Sequence, residues 1–294
     1  MKSDSIGIRM RKTLTPYLLL LPAFLVIGYI LVYPAVYNGY LSLFDWRVTN
    51  PAQKSFIGLE NYIRILTEDG TFTNVISFTF LFAGCTLVAE IIIGLAIALL
   101  LNNNIRARAF LSAMYILPYA MAPIAVGLCW RLMWAEDYGI VNYLLSLFGK
   151  GKVSWLVDQA VLSVVVPEVW RSVPFVTLML LAGLTGISND LYEAARVDGA
   201  NAFKRFVHLT IPLLLPTLTI VLVFETVFKL RVFDLIFALT GGGPGSKTLP
   251  IGVYIHRTYF RYMEGGYAAA LSVILLIIGG GISAAYIKLF YKDA

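Results

Sequence analysis

The sequence predicts an all-α integral membrane protein of six transmembrane helices. Of its 294 residues 59% are hydrophobic and only 14% charged, with a mean hydropathy of +0.79, far outside the composition of soluble domains. Several apolar stretches exceed the roughly 20 residues a helix needs to cross a hydrocarbon core. These stretches are continuous and lack the alternating ten-residue pattern of an outer-membrane barrel, so they read as helices.

The spans run over roughly 15 to 43, 72 to 101, 109 to 134, 160 to 185, 210 to 238 and 266 to 289, and no separate soluble domain stands between them. The first follows MKSDSIGIRMRKT, a basic leader like that of a secretory signal. Its apolar run from Pro16 to Phe44 is too long for a signal core and carries no small-residue cleavage site, so it is expected to be a retained helix. FIGLENY, residues 56 to 62, opens a helical recurrence of Phe56, Leu59, Tyr62, Ile63 and Leu66 that predicts an amphipathic helix on the outer surface. IVNYLLSLFGKGKVSWL, residues 140 to 156, has the same character, with a turn at GKGK. TGGGPGSKT, residues 240 to 248, reads as a flexible connector. Its Lys247 follows Ser246 where a phosphate-cradling loop needs lysine after the final glycine, so a nucleotide site is not expected here.

Charge orients the spans. The N-terminus, the second and fourth loops and the C-terminus carry eleven bases against five acids, and the remaining loops carry eight of each. Under the positive-inside rule both termini and the loop over 186 to 209 are cytoplasmic. The formal net charge of +6 equals that basic excess and calls for anionic lipid, with no nucleic-acid partner implied. Cys85 and Cys129 lie in apolar spans without metal-ligand spacing and read as small core hydrophobes. No repeat of fixed period and no low-complexity tract is apparent.

One charged stretch interrupts the apolar chain: DLYEAARVDGANAFKRFVHLTIPLLLP, residues 190 to 216. Leu191, Ala194 and Ala195 share a face of a short helix starting near Asp190, with Asp190 and Glu193 resembling a capping box. Gly199 stands where that helix stops, and Phe203, Phe206 and Val207 share a face of a second short helix. Periodicity alone allows either a docking knob or an ordinary loop lying on the headgroups.

Glu193, Ala194 and Ala195, then Gly199, then Leu209, Ile211 and Pro212 resemble the EAA loop of binding-protein-dependent ABC importer permeases: EAA, three residues, glycine, nine residues, I-x-L-P. Leu209 and Ile211 exchange the two aliphatic residues of that pattern. FIGLENY, TGGGPGSKTLPIGVYIH (240 to 256), GYAAALSVILL (266 to 276) and LLPAFL (20 to 25) extend the resemblance over the chain, toward carbohydrate-type permeases such as the maltose and glycerol-3-phosphate subunits. The large second outer-loop domain of the maltose-type subunit is missing, since only about 25 residues separate spans three and four.

The resemblance implies the type I ABC importer permease (MetI-like) fold, with a cytoplasmic N-terminus over 1–14, a six-helix permease domain over 15–294 and an EAA coupling loop over 188–212. It also implies a homologous second permease, a dimeric ABC ATPase holding ATP and magnesium, and an extracytoplasmic solute-binding protein in a bacterial or archaeal inner membrane. Carried over by position, Glu193 is the polar anchor, Ala194 and Ala195 allow close approach, and Gly199 gives the turn, with Arg196 and Asp198 flanking it.

Ionisable residues inside spans are functional candidates: Glu90, Arg131, Glu168, Arg171, Glu225, Lys229, Arg231 and Asp234. Glu225 and Lys229 are four apart and Glu168 and Arg171 three apart, so mutual neutralisation competes with a pathway role. Trp170, Phe224 and Phe228 stand near them as aromatic liners for a sugar, giving an expected substrate pathway of Glu168, Trp170, Arg171, Phe224, Glu225, Phe228 and Lys229. His208 and His256 are separated by a span and form no metal site; His208 is expected against nearby carbonyls or headgroups. No nucleophile, paired carboxylate or cofactor motif emerges, so the expectation is a non-catalytic transport subunit. A permease for a non-sugar solute, a channel or a membrane enzyme are the alternatives.

Overall fold

The computed structural model describes Tyr17, residues 19–103 and residues 113–290. The expected cytoplasmic N-terminus, Arg106, Arg108, the start of the third span and the last four residues lie outside the described residues. The chain divides into two compact units, Met1–Arg64 with Thr258–Val273, and Ile65–Arg257 with Ile274–Ala294.

The first unit begins with α1 (Leu19–Leu41), which widens to a π-helical turn over Gly28–Val32. Pro34 explains the turn. Its ring would crowd the carbonyl four residues back, and the turn is closed instead by Tyr33 N–H donating to Gly28 O. Tyr29, Tyr33, Tyr37 and Tyr40 stack along α1 with ring centroids 6.0 to 6.2 Å apart. Beyond it β1 (Phe44–Trp46) and β2 (Lys54–Phe56) form an antiparallel hairpin in the register Phe44↔Phe56, Asp45↔Ser55 and Trp46↔Lys54. FIGLENY is therefore split. Phe56 belongs to a strand, and α2 (Glu60–Thr67) starts only at Glu60. Asn61 Nδ2 donates to Ser42 O and Phe44 O at 2.9 and 3.1 Å, which ties helix to hairpin. Gly266 is required here, since a Cβ on it would lie 2.0 Å from Phe44 O.

In the second unit α3 (Gly70–Leu101) starts two residues before the expected span because Asp69 caps it, its carboxylate accepting from Thr71 N and Phe72 N. The third span is not one helix. After α4 (Leu117–Ala120), Met121 and Ala122 are extended, and Pro123 then opens α5 (Pro123–Met133). α6 (Ile140–Leu147) and α7 (Trp155–Asp158) lead to α8 (Ala160–Thr185). Pro167 within α8 lacks the N–H that would occupy Ser163 O, and Trp134 Nε1 donates to that freed carbonyl at 3.1 Å.

The charged stretch follows as α9 (Asn189–Val197) and α10 (Ala202–Arg205), then a π turn over Phe206–Thr210 that again precedes a proline, Pro212. α11 (Ile211–Leu230) breaks at Arg231–Phe233 before α12 (Asp234–Leu239), so the fifth span is also discontinuous. α13 (Ile251–Phe260) and α14 (Gly265–Phe290) end the described chain. Among the described residues five helical segments are long and apolar enough to span, and Pro123–Met133 is a shorter sixth.

Packing in this unit uses small residues at the crossings, as membrane helices do. A Cβ on Gly94 of α3 would sit 2.9 Å from Val176 Cγ1 of α8; on Gly183 of α8, 2.6 Å from Thr217 Oγ1 of α11; on Gly127 of α5, 2.7 Å from Leu235 O of α12. Two expectations fail. Cys85 and Cys129 are exposed on their helices and not in the core. The 240 to 248 loop is folded: Thr248 is buried, its Oγ1 donates to Gly243 O at 2.5 Å, and the Arg257 guanidinium donates to Gly241 O.

Candidate functional site

Three helices bring ionisable residues to one buried point. Glu90 of α3 is 0% exposed, Glu168 and Ser172 of α8 and Glu225 of α11 are buried, and Lys229 of α11 is 1% exposed at their centre. Lys229 Nζ lies 2.6 Å from Glu168 Oε1 and 3.0 Å from both Glu225 Oε2 and Glu90 Oε1, and donates to Ser172 Oγ at 2.9 Å. Ser172 Oγ donates to Glu168 Oε1 at 3.0 Å, and Arg171 clamps the same carboxylate through Nη2 at 2.8 Å and Nε at 3.3 Å. Glu168 is thus the most fully satisfied acid. Glu90 is the least: its Oε1 is close to the ammonium, yet neither carboxylate oxygen takes an aligned hydrogen bond.

The helical spacings allowed the Glu225–Lys229 and Glu168–Arg171 pairs, but Glu90 joins them only through packing. Ser172, being uncharged, is not marked by the cost of a buried charge; its place four residues after Glu168 is the one sequence signal for it. Arg131, Arg231 and Asp234 stay outside this cluster, and all three are exposed.

Beside the cluster lies a cavity of about 280 Å³. Glu168, Arg171 and Glu225 contribute one wall, with Tyr119 and Pro123 at one helix break and Arg231, Phe233 and Asp234 at the other. Both interrupted helices therefore open onto one space, the arrangement by which membrane transporters expose backbone groups without meeting lipid. Tyr119 stacks on Phe175 at 5.0 Å and receives the Arg171 guanidinium over its ring at 5.7 Å. Arg231 lies 5.3 Å over Phe228, which also lines the cavity. Of the expected pathway residues, Trp170 and Phe224 do not line it: Trp170 packs edge-on against Trp130 at 5.9 Å, and Phe224 stacks on Phe228 at 6.5 Å. Lys229 is sealed behind the wall.

At the far end of α8 stands the charged stretch. Ser188, not Asp190, caps α9, its hydroxyl accepting from Asp190 N at 3.3 Å; the side chain one residue before the helix is the one placed to reach that N–H. The helix closes in a Schellman motif, with Ala200 N donating to Ala195 O at 2.9 Å and Gly199 N to Arg196 O at 3.0 Å. Gly199 has φ +77° with open space around its missing Cβ, so the backbone angle is what selects glycine. Asn201 then caps α10 by accepting from Lys204 N, Arg205 donates to Ala200 O, and Tyr192 bonds Thr210 at 3.0 Å. This fixes the knob's shape. Glu193, Ala194, Arg196, Asp198 and Gly199 face outward, Val197 is 88% and Phe203 73% exposed, and Ala195 is half-buried. His208 Nδ1 lies 3.2 Å from Lys204 O, and His256 packs against Phe233 and Phe237.

Comparison with known proteins agrees with this architecture. The family model described as "Binding-protein-dependent transport system inner membrane component" matches residues 90–289. The trehalose/maltose transport system permease protein MalF of Thermococcus litoralis is 36% identical over 291 residues, covering 97% of each chain. The sulfoquinovosyl glycerol transport system permease protein SmoG of Agrobacterium fabrum is 33% identical, covering 92% of this chain and 89% of that one. A chain of a bacterial ABC transporter involved in import of the polysaccharide alginate superposes with a TM-score of 0.81 at 21% identity over 98% of both chains, which shows a shared fold. The interrupted helices, the glycine-closed knob and the full-length match lead to one assignment: this chain belongs to the binding-protein-dependent transport system inner membrane component family.

Proposed function

We propose that this chain is one permease subunit of an ATP-driven carbohydrate importer and contributes half of the translocation pathway. The observation that carries the reading is the near full-length match to a trehalose/maltose permease in a chain whose cavity opens at two helix breaks. A sugar suits that cavity, because Phe228 offers an apolar ring face while Arg231, Asp234 and Glu225 offer donors and acceptors to hydroxyls. The solute arrives from an extracytoplasmic binding protein, and a second, similar permease completes the pathway.

The knob performs the coupling. Its α9 presents Glu193 and the small Ala194 and Ala195 to a cleft on a cytoplasmic ABC ATPase, which holds ATP and magnesium and does the hydrolysis. Val197 and Phe203 supply exposed apolar contacts beside them. Because capping and the Schellman closure hold the knob rigid, ATPase closure moves it as a body and rocks α8 and α11 between two access states. Both termini and the knob then lie on the cytoplasmic side.

The test uses the transporter reconstituted in lipid with its partner subunits and a trehalose- or maltose-loaded binding protein. ATP hydrolysis stimulated by the loaded binding protein is expected in wild type and lost in Gly199→Asp, with membrane insertion intact. Full stimulation in that variant removes the knob from coupling. Failure to take up any neutral or acidic sugar, while an ATPase co-purifies, would overturn the carbohydrate assignment and leave the importer.

A further inference from the structure

α6 carries an apolar stripe that the transport reading does not use. Ile140, Tyr143, Leu144, Leu147 and Phe148 fall at i, i+3, i+4, i+7 and i+8 and are all exposed, Phe148 at 81%. Residues 140 to 148 contain no charge. The opposite side of the helix is pinned: buried Asn142 donates to Glu136 O at 3.0 Å and Val153 O at 2.9 Å, and accepts from Val153 N and from Trp155 Nε1 at 2.9 Å. Gly149, at φ +71°, ends the helix, with Lys150 N donating to Leu145 O. The outward direction of the stripe is therefore built into the fold.

What covers it follows from its place in the chain. The segment leaves the membrane after α5 at Met133 and re-enters at Ala160, so both its ends are fixed at one face, opposite the knob at the other end of α8. α5, the membrane helix just before it in the chain, exposes an aliphatic row of its own, Ile124, Leu128 and Leu132. Lys150 stands exposed just past the stripe, and Lys152 is paired with Asp137 at 2.8 Å. An uncharged helical stripe bearing Tyr143 and Phe148, with a base just past it and both ends fixed where the chain leaves and re-enters the membrane, has the chemistry of an interfacial helix. Left in water, it would be an apolar patch with no protein group to shield it.

We propose that α6 lies in the bilayer interface with this stripe sunk among the acyl chains, so that the α5–α8 connection is held by lipid at the face opposite the knob. The probe is a nitroxide at Leu147→Cys or Tyr143→Cys, with Lys150→Cys as the wet control, in a Cys85→Ala/Cys129→Ala background. The complete transporter is placed in nanodiscs of three parts phosphatidylcholine to one part phosphatidylglycerol. Power saturation is expected to show the two stripe labels relaxed far more by oxygen than by a water-soluble nickel chelate, with the reverse order at Lys150→Cys. In unsubstituted protein, photoactivatable phosphatidylcholine is expected to leave adducts within 138 to 148. Equal nickel access at the stripe and at the control would overturn the proposal by placing α6 in water. Stripe labels closed to both reagents, with no lipid adducts, would overturn it in favour of a protein partner, and closure only after the binding protein is added would name that partner.

Discussion

At Lys229 one ammonium is shared by three carboxylates, and Arg171 supplies the second positive charge through Glu168. Removing one member of a buried ion cluster leaves the others uncompensated, which costs about 3–5 kcal/mol. Lys229→Met is therefore expected to lower the thermal midpoint strongly in detergent or lipid. Adding Glu90→Gln and Glu225→Gln to it, which leaves only the Arg171–Glu168 pair, should recover much of the loss. If the triple variant is no more stable than Lys229→Met, the ammonium does not hold Glu90 and Glu225 in place by charge compensation. Glu90→Gln alone should be milder than Glu168→Gln, because Glu90 accepts no aligned hydrogen bond to lose, whereas Glu168 accepts from Arg171, Ser172 and Lys229. Candidate residues were legible in the sequence as costly charges inside spans. Their joining was not, since Lys229 and Glu168 stand 61 positions apart and meet only where α8 and α11 pack.

Elements begin, break and cross for reasons written at single positions. Asp69 both caps α3 and receives the Tyr254 hydroxyl at 2.5 Å. Asp69→Ala should cost about 1 kcal/mol for the cap and more for the lost bond from the Tyr254 hydroxyl, read as a lower midpoint, and Asp69→Asn should restore part of it. Gly183 sits where α8 meets α11, with Thr217 and Leu214 closer than any side chain permits. Gly183→Val is expected to part those helices, giving faster proteolysis of the 186–209 loop and loss of uptake; unchanged protease resistance would show that the contact can yield. Both π turns precede a proline, Pro34 and Pro212, where the wider turn makes room for the ring. Hydropathy sees none of this. Averaged over a window, the third and fifth spans look continuous, and the extended backbone at Met121 and Ala122 and the break at Arg231–Phe233 disappear into their apolar surroundings.

For the molecule in its membrane, the positive-inside count and the position of the knob make one joint prediction. On a cysteine-free background, an impermeant maleimide should label Val197→Cys in inverted vesicles only and Tyr138→Cys in right-side-out vesicles only. Labelling of both from one side would sink the topology and, with it, the coupling role of the knob. Val197 and Tyr138 suit the purpose because both are widely exposed and lie outside the ion cluster and the cavity, and the ATPase proposed to cover Val197 is left out of the vesicles.

Membrane class, the positions of the apolar spans and the glycine-hinged pair of short helices are written in the sequence, whereas the breaks within two of those spans are not. Partition of apolar residues into lipid and the i, i+4 geometry of a helix are local properties, and a one-dimensional pattern carries them. Gly199 belongs to the same group, since a left-handed closing residue follows from local backbone sterics. Packing between distant segments is what brings Glu90 to the Lys229 cluster, opens both helix breaks onto one cavity and turns Cys85 and Cys129 outward. It also decided that the 240 to 248 loop is folded, through Thr248 and Arg257. Each of these depends on which faces of distant helices meet. Two sequences with the same periodicity can differ in that, because the meeting is set by glycine contacts and buried polar pairs between segments far apart in the chain.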